Sequence, residues 1–69
     1  MDEYEITAEA PGKEPRVWTR ATLLVARIIA DSAIRQGYTK AVVINTHGGN
    51  RSEPLYIAEK TGSRDMEEC

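Results

Sequence analysis

One short stretch of this chain concentrates nearly all of its chemically versatile side chains. In Ala41–Asn50 an apolar run stops at Asn45, and His47, Gly48, Gly49 and Asn50 follow within five positions. His47 is the single histidine, and imidazole is the side chain suited to metal ligation or proton transfer near neutral pH. Gly48 and Gly49 open backbone conformations denied to other residues and allow a ligand or ion to approach the main chain closely. Asn45 and Asn50 add amide donors and acceptors, Asn50 at the expected start of a helix, where free amides favour anions. Taken alone, a histidine beside two glycines reads as a turn with a satisfied side chain. A metal site needs three or four protein ligands, and the sequence holds no second histidine.

The flanking elements must hold this loop in place. Ala41–Ile44 has no alternating polar residue, which predicts a strand covered on both faces, as in a parallel sheet. Upstream, Thr19–Gln36 reads as a helix capped by Thr19 or Thr22. Its expected buried face is Ala21, Leu24, Val25, Ile28, Ile29, Ser32 and Ala33, at i, i+3, i+4 spacing. Arg20, Arg27, Asp31 and Arg35 fall on another face, expected to be solvated, with Arg27–Asp31 and Asp31–Arg35 spaced as i,i+4 pairs. Gly37 fits the left-handed position after the helix, and Tyr38 is placed to fold back on its last turn. Downstream, Arg51–Thr61 is expected to be a second helix, started by Asn50 with Glu53 or by Ser52 with Pro54 in the first turn, and stopped by Gly62.

The remaining chain carries weaker patterns. Residues 1–18 hold Glu3, Glu5, Glu9 and Glu14 among Pro11, Gly12 and Pro15, and read as an irregular arm with a short strand near Tyr4–Ala8 as the alternative. Residues 63–69 form a polar tail, so the division expected is an arm (1–18), a partial α/β domain (19–62) and a tail. A chain of 69 residues makes at most one small domain, and such domains commonly need a disulfide, a metal or oligomerisation. Cys69 is the one cysteine, which excludes an internal disulfide and fits a reduced, cytoplasmic setting. The net charge of −2 with dispersed basic residues argues against nucleic acid as a partner. Arg27 and Asp31 interrupt the most apolar window and exclude a membrane span, and the acidic start is the reverse of a secretory signal.

The string VVINTHGGN, preceded by a capped amphipathic helix ending in Arg-Gln-Gly-Tyr, resembles the creatininase (creatinine amidohydrolase) family. That family runs an apolar strand into Asn-Gly-His-Gly-Gly-Asn. Asn45, His47, Gly48, Gly49 and Asn50 match it, and Thr46 stands where the family has glycine. The resemblance covers roughly Thr19 to Thr61 and implies a helix–strand–loop–helix piece of a three-layer α/β fold with a parallel sheet. It further implies two divalent ions, zinc or manganese, with His47 as a ligand and Asn45, Gly48, Gly49 and Asn50 shaping the loop around substrate. The implied chemistry is hydrolysis of non-peptide C–N bonds in small molecules, or a related ring opening, by metal-activated water. The family's upstream Glu-x-His-Gly motif and its aspartate have no counterpart here, and family members are several times longer. The metal site is therefore expected to be incomplete, with no catalytic residue assigned. A small-molecule substrate is expected only if further chain completes it, and homo-oligomerisation is expected. The alternative expectation is a small non-catalytic α/β module that self-associates through the uncovered face of its strand.

Overall fold

In the computed structural model, which describes residues 3–46, 53–62 and 64–65, the described residues form one antiparallel sheet with one helix packed against it. The strands are β1 (Tyr4–Ala10), β2 (Lys13–Arg20), β3 (Lys40–Asn45), β4 (Tyr56–Glu59) and the two-residue β5 (Arg64–Asp65), in the order β2-β1-β3-β4-β5. Every pairing is antiparallel. The helix α1 (Leu23–Arg35) connects the edge strand β2 to the central strand β3.

The expected parallel three-layer sheet is therefore overturned. Its premise was that Ala41–Ile44 needed cover on both faces. In the structure Ala41 and Val43 point into the helix-covered core, Val42 is half-buried, and Ile44 is buried at 8% exposure. Pairing with β1 and β4 makes it a central antiparallel strand, and by alternation Val42 and Ile44 lie on the face away from α1, where Ile44 is nevertheless buried. Residues 4–18, expected as an irregular arm with a short strand as the alternative, form the β1–β2 hairpin together with Thr19 and Arg20, which were expected to begin the helix. Pro11 and Gly12 make its turn. The proline ring presets the first turn position, and Gly12 sits at φ +78°, where a side chain is disfavoured.

The second helix, expected over Arg51–Thr61, is also overturned. Residues 56–59 form strand β4, with Tyr56 and Ala58 buried and Ile57 and Glu59 half-buried. That alternation is the period of a strand, and Pro54 disfavours a helical residue before it. The aromatic and β-branched neighbours Tyr56 and Ile57 fit the pleat better than a helix turn.

Helix α1 forms where periodicity placed it, but turned to another face. Thr22 caps it, its side chain accepting from the Val25 amide at 3.4 Å. Its end is a Schellman motif: the Tyr38 amide donates to the Ala33 carbonyl at 3.1 Å, and the Gly37 amide to the Ile34 carbonyl at 3.2 Å. Gly37 adopts φ +106° to make this turn. Lys13 Nζ, from the hairpin, donates to the Gln36 carbonyl at 3.4 Å and adds a positive charge at the helix's negative end.

The buried face is Ala26, Ala30 and Ala33, with Leu23, Ile29 and Ile34 partly buried beside them. Leu24 (70% exposed), Ile28 (55%) and Val25 (40%), all expected in the core, lie outside it. The reason is steric. The sheet presents Ala8, Ala41 and Ala58 to the helix, and alanine against alanine gives the closest approach of the two backbones. Arg27 and Asp31, expected on a solvated face, flank β4 instead. The Tyr56 hydroxyl donates to Asp31 Oδ1 at 2.7 Å, and the Arg27 guanidinium lies 4.9 Å from the centre of the Tyr56 ring.

Tyr56→Phe is expected to lower unfolding free energy by about 1–2 kcal/mol, since it strips a charged acceptor of its partly buried donor. Gly37→Ala is expected to cost roughly 1–2 kcal/mol through the left-handed backbone. Urea denaturation measures both, and wild-type midpoints in either variant contradict the contacts assigned here.

Candidate functional site

Strand β3 runs to Asn45 and there hands the chain to the stretch that carries the resemblance. Asn45 is half-buried and pairs across the sheet with Tyr4 of β1. The next residue is fastened firmly. The Thr46 amide donates to the Glu3 carbonyl at 2.8 Å, extending the β1–β3 ladder by one bond. Thr46 Oγ1 lies 3.2 Å from the same carbonyl and 3.3 Å from Glu3 Oε1, so its single proton is shared between them. Thr46, which departs from the family glycine, acquires a definite structural task.

His47, Gly48, Gly49 and Asn50 lie outside the described residues. Their frame does not. Asn45 marks one end of the connection, and at the other the Leu55 amide donates to the Val43 carbonyl at 2.8 Å, returning the chain beside the strand it left. The connection over residues 46–55 thus joins two antiparallel neighbours, β3 and β4. A strand-to-helix loop of the open parallel α/β kind is not what positions it.

Around this frame, the polar groups near the strand ends are Glu3, Asn45 and Thr46. The Glu3 carboxylate reaches the start of the loop, with Oε1 3.3 Å from Thr46 Oγ1. Among the described residues, no three His, Cys, Asp or Glu side chains gather into a cage for a metal ion. These residues therefore do not by themselves compose a two-metal site, and no hydrolytic step follows from their geometry. A shallow pocket lined by Glu9, Ala10, Pro11, Thr39 and Lys40 lies at the opposite end of β3. There the Thr39 amide and hydroxyl both donate to the Glu9 carbonyl, at 3.0 and 3.1 Å.

Two groupings escaped the sequence reading. Glu3 and Thr46 are 43 positions apart, and nothing local signals that they meet. The second is a cationic and aromatic patch beside the end of α1. Trp18 and Tyr38 meet edge to face with ring centres 6.4 Å apart, Lys13 lies 5.0 Å from the Tyr38 ring centre, and Arg16 lies 5.1 Å from that of Trp18. The alternation of Arg16 and Trp18 in a strand was its only available signal. Trp18 and Lys13 join the hairpin to Tyr38 beyond the helix end, Arg16 on Trp18 lies within β2, and each cation–π contact adds about 0.5–1 kcal/mol at an exposed site.

No helix among the described residues is long and apolar enough to cross a membrane. No family model, curated protein or solved structure matches the chain.

Thr46→Gly, the change toward the family residue, is expected to lower stability by about 1 kcal/mol or more, through the lost hydroxyl bond and greater backbone freedom. Thr46→Ser should recover part of it. Equal thermal midpoints for all three chains would exclude the anchoring role.

Proposed function

We propose that this chain carries the metal-ligand loop of a creatininase-type, metal-dependent hydrolase, acting on non-peptide C–N bonds of small molecules or on a related ring opening, and that it is inactive by itself. The observation that supports the reading is the string Ala41–Asn50, in which Asn45, His47, Gly48, Gly49 and Asn50 stand in the family's order. A strand does end at Asn45, as such a loop requires. The antiparallel two-layer sheet departs from that family's scaffold, so the reading concerns the loop and its ligand alone. In it, His47 supplies one ligand to zinc or manganese, and the other ligands come from further chain. Asn45, Gly48, Gly49 and Asn50 shape the space around ion and substrate.

Calorimetric titration with zinc and with manganese tests this reading. Weak binding is expected in the wild type, weakened by on the order of tenfold or more in His47→Ala, with no turnover of cyclic amides. Tight binding indifferent to that substitution would remove His47 from the site.

A second reading, a non-catalytic module that self-associates in the cytoplasm, has its own support. Among the described residues, alanine makes up six of the ten buried core positions, and only Ile6 and Val43 are large side chains with essentially no exposure. So small a core leaves little stability to a chain of this length. Leu24, Val25, Ile28 and Val17 meanwhile remain exposed. Light scattering behind size exclusion is expected to give at least a dimer that melts cooperatively without added metal. A monomer at all accessible concentrations rejects this reading and leaves the first one standing.

A further inference from the structure

We infer that the free edge of β2 docks an acidic peptide, which adds in extended form as a further strand along Arg16–Arg20. The inference depends on neither of the readings above.

The hydrogen-bond pattern shows which main-chain groups that edge offers. The Glu3 and Glu9 carbonyls accept from Thr46 and Thr39, at the two ends of β3, so the odd-numbered residues of β1 turn toward β3. The even-numbered Tyr4, Ile6 and Ala8 therefore turn toward β2, where register sets them against Arg20, Trp18 and Arg16. Alternation leaves the amides and carbonyls of Val17 and Thr19 directed away from the sheet. Arg20 Nη1 donates to the Thr19 carbonyl at 2.6 Å, which agrees with that direction and leaves the oxygen a second lone pair.

This edge is accessible. β2 is the outermost strand, and each of its residues is exposed except the half-buried Trp18. Val17, apolar and 53% exposed, sits in the middle of the segment. Such a row of outward main-chain groups is a template for another strand. Pro15, with no amide hydrogen, and the register shift between Ala8 and Ala10 close the usable edge at Arg16.

Charge selects the occupant. β2 has three basic residues and one acid, Glu14, in a chain whose net charge is −2. Arg16, Trp18 and Arg20 pair with Ala8, Ile6 and Tyr4, so they stand on the face of the sheet that meets α1. Arg27 and Asp31 of α1 lie over β4, and the opposite flank, toward β2, carries Val25, Ile29 and Ser32. Asp31 is the one acid of the helix, so none of its acids faces this row. Among the described residues no carboxylate pairs with Lys13, Arg16 or Arg20. The Arg16 guanidinium rests 5.1 Å from the Trp18 ring centre, which orders a planar fork suited to a carboxylate.

A strand alternating acidic and β-branched residues meets both requirements. Its acids reach Arg16 and Arg20 on one face, and an apolar side chain covers Val17 on the other. A second copy paired through β2 would instead set the two basic rows against each other. A nucleic-acid strand has no donor–acceptor ladder to match Val17 and Thr19, whose amides recur at about 7 Å.

The probe is an acetylated, amidated seven-residue peptide alternating glutamate and valine, titrated into the full chain and followed by amide NMR. Saturable one-to-one binding is expected, with hydrogen exchange at the Val17 and Thr19 amides slowed on the order of tenfold or more. Arg16→Glu combined with Arg20→Glu, its fold confirmed by circular dichroism, is expected to weaken binding by about tenfold or more. Only one alternating set of peptide amides faces β2, so N-methylation of either the valines or the glutamates is expected to abolish binding and of the other set to spare it. That comparison leaves the protein unaltered. Failure of the glutamate peptide to bind, equal binding of a lysine–valine peptide, equal effects of the two methylations, or unchanged exchange at Val17 and Thr19 overturns the inference. Tighter binding of a thymidine oligonucleotide overturns it in favour of nucleic acid. Exchange at these two amides that slows with protein concentration alone overturns it in favour of a second copy.

Discussion

The close approach of α1 to the sheet, alanine against alanine, is the constraint on which the rest of the structure depends. Ala26, Ala30 and Ala33 on the helix meet Ala8, Ala41 and Ala58 on three adjacent strands, all without measurable exposure. Small side chains on both layers bring the backbones together and leave room for only a few larger groups, Ile6, Val43 and Tyr56. Each larger residue on α1 is consequently displaced to the rim or outward. The exposure of Leu24 and Ile28 is a direct result of the alanine face winning the inner position.

That choice also organises the polar contacts. With the alanine face inward, Arg27 and Asp31 come to lie over β4 and take the ring and hydroxyl of Tyr56. At the far end of the helix, Gly37 turns the chain and Lys13 closes on the Gln36 carbonyl, so the hairpin is tied to the helix end. Tyr38 and Trp18 complete the same corner. The sheet's two central strands are joined at their other end by the Thr46–Glu3 contacts, where the chain leaves for the loop that includes His47.

Among the described residues one sheet face is covered by α1, and Ile44 is buried although it points to the other. The helix supplies apolar area on the inside and, through Leu24, Val25 and Ile28, again on the outside. A helix apolar on opposite sides is usually enclosed, so the outer stripe of α1 invites association. The metal-loop reading and the association reading are compatible, since a ligand set lacking in one chain is the kind of deficiency that further chain supplies.

The amino-acid sequence by itself determined the local features with local causes. The Thr22 cap, the helix between it and Gly37, the left-handed glycine after it, and the strand ending at Asn45 all follow from neighbours within a few positions. The sequence also singled out Asn45, His47, Gly48, Gly49 and Asn50 by residue type and order, with Asn45 alone among the described residues. Only tertiary structure decided which face of α1 is buried, because two apolar stripes compete at similar periodicity and the alanines of distant strands break the tie. Strand direction was likewise decided there. Ala41–Ile44 is equally apolar in a parallel or an antiparallel setting, and its pairing with β1 and β4 depends on residues remote in sequence. Tyr56–Glu59 became a strand for the same reason: beside β3 it gains a ladder of backbone hydrogen bonds and two core positions, which outweigh its weak helical spacing.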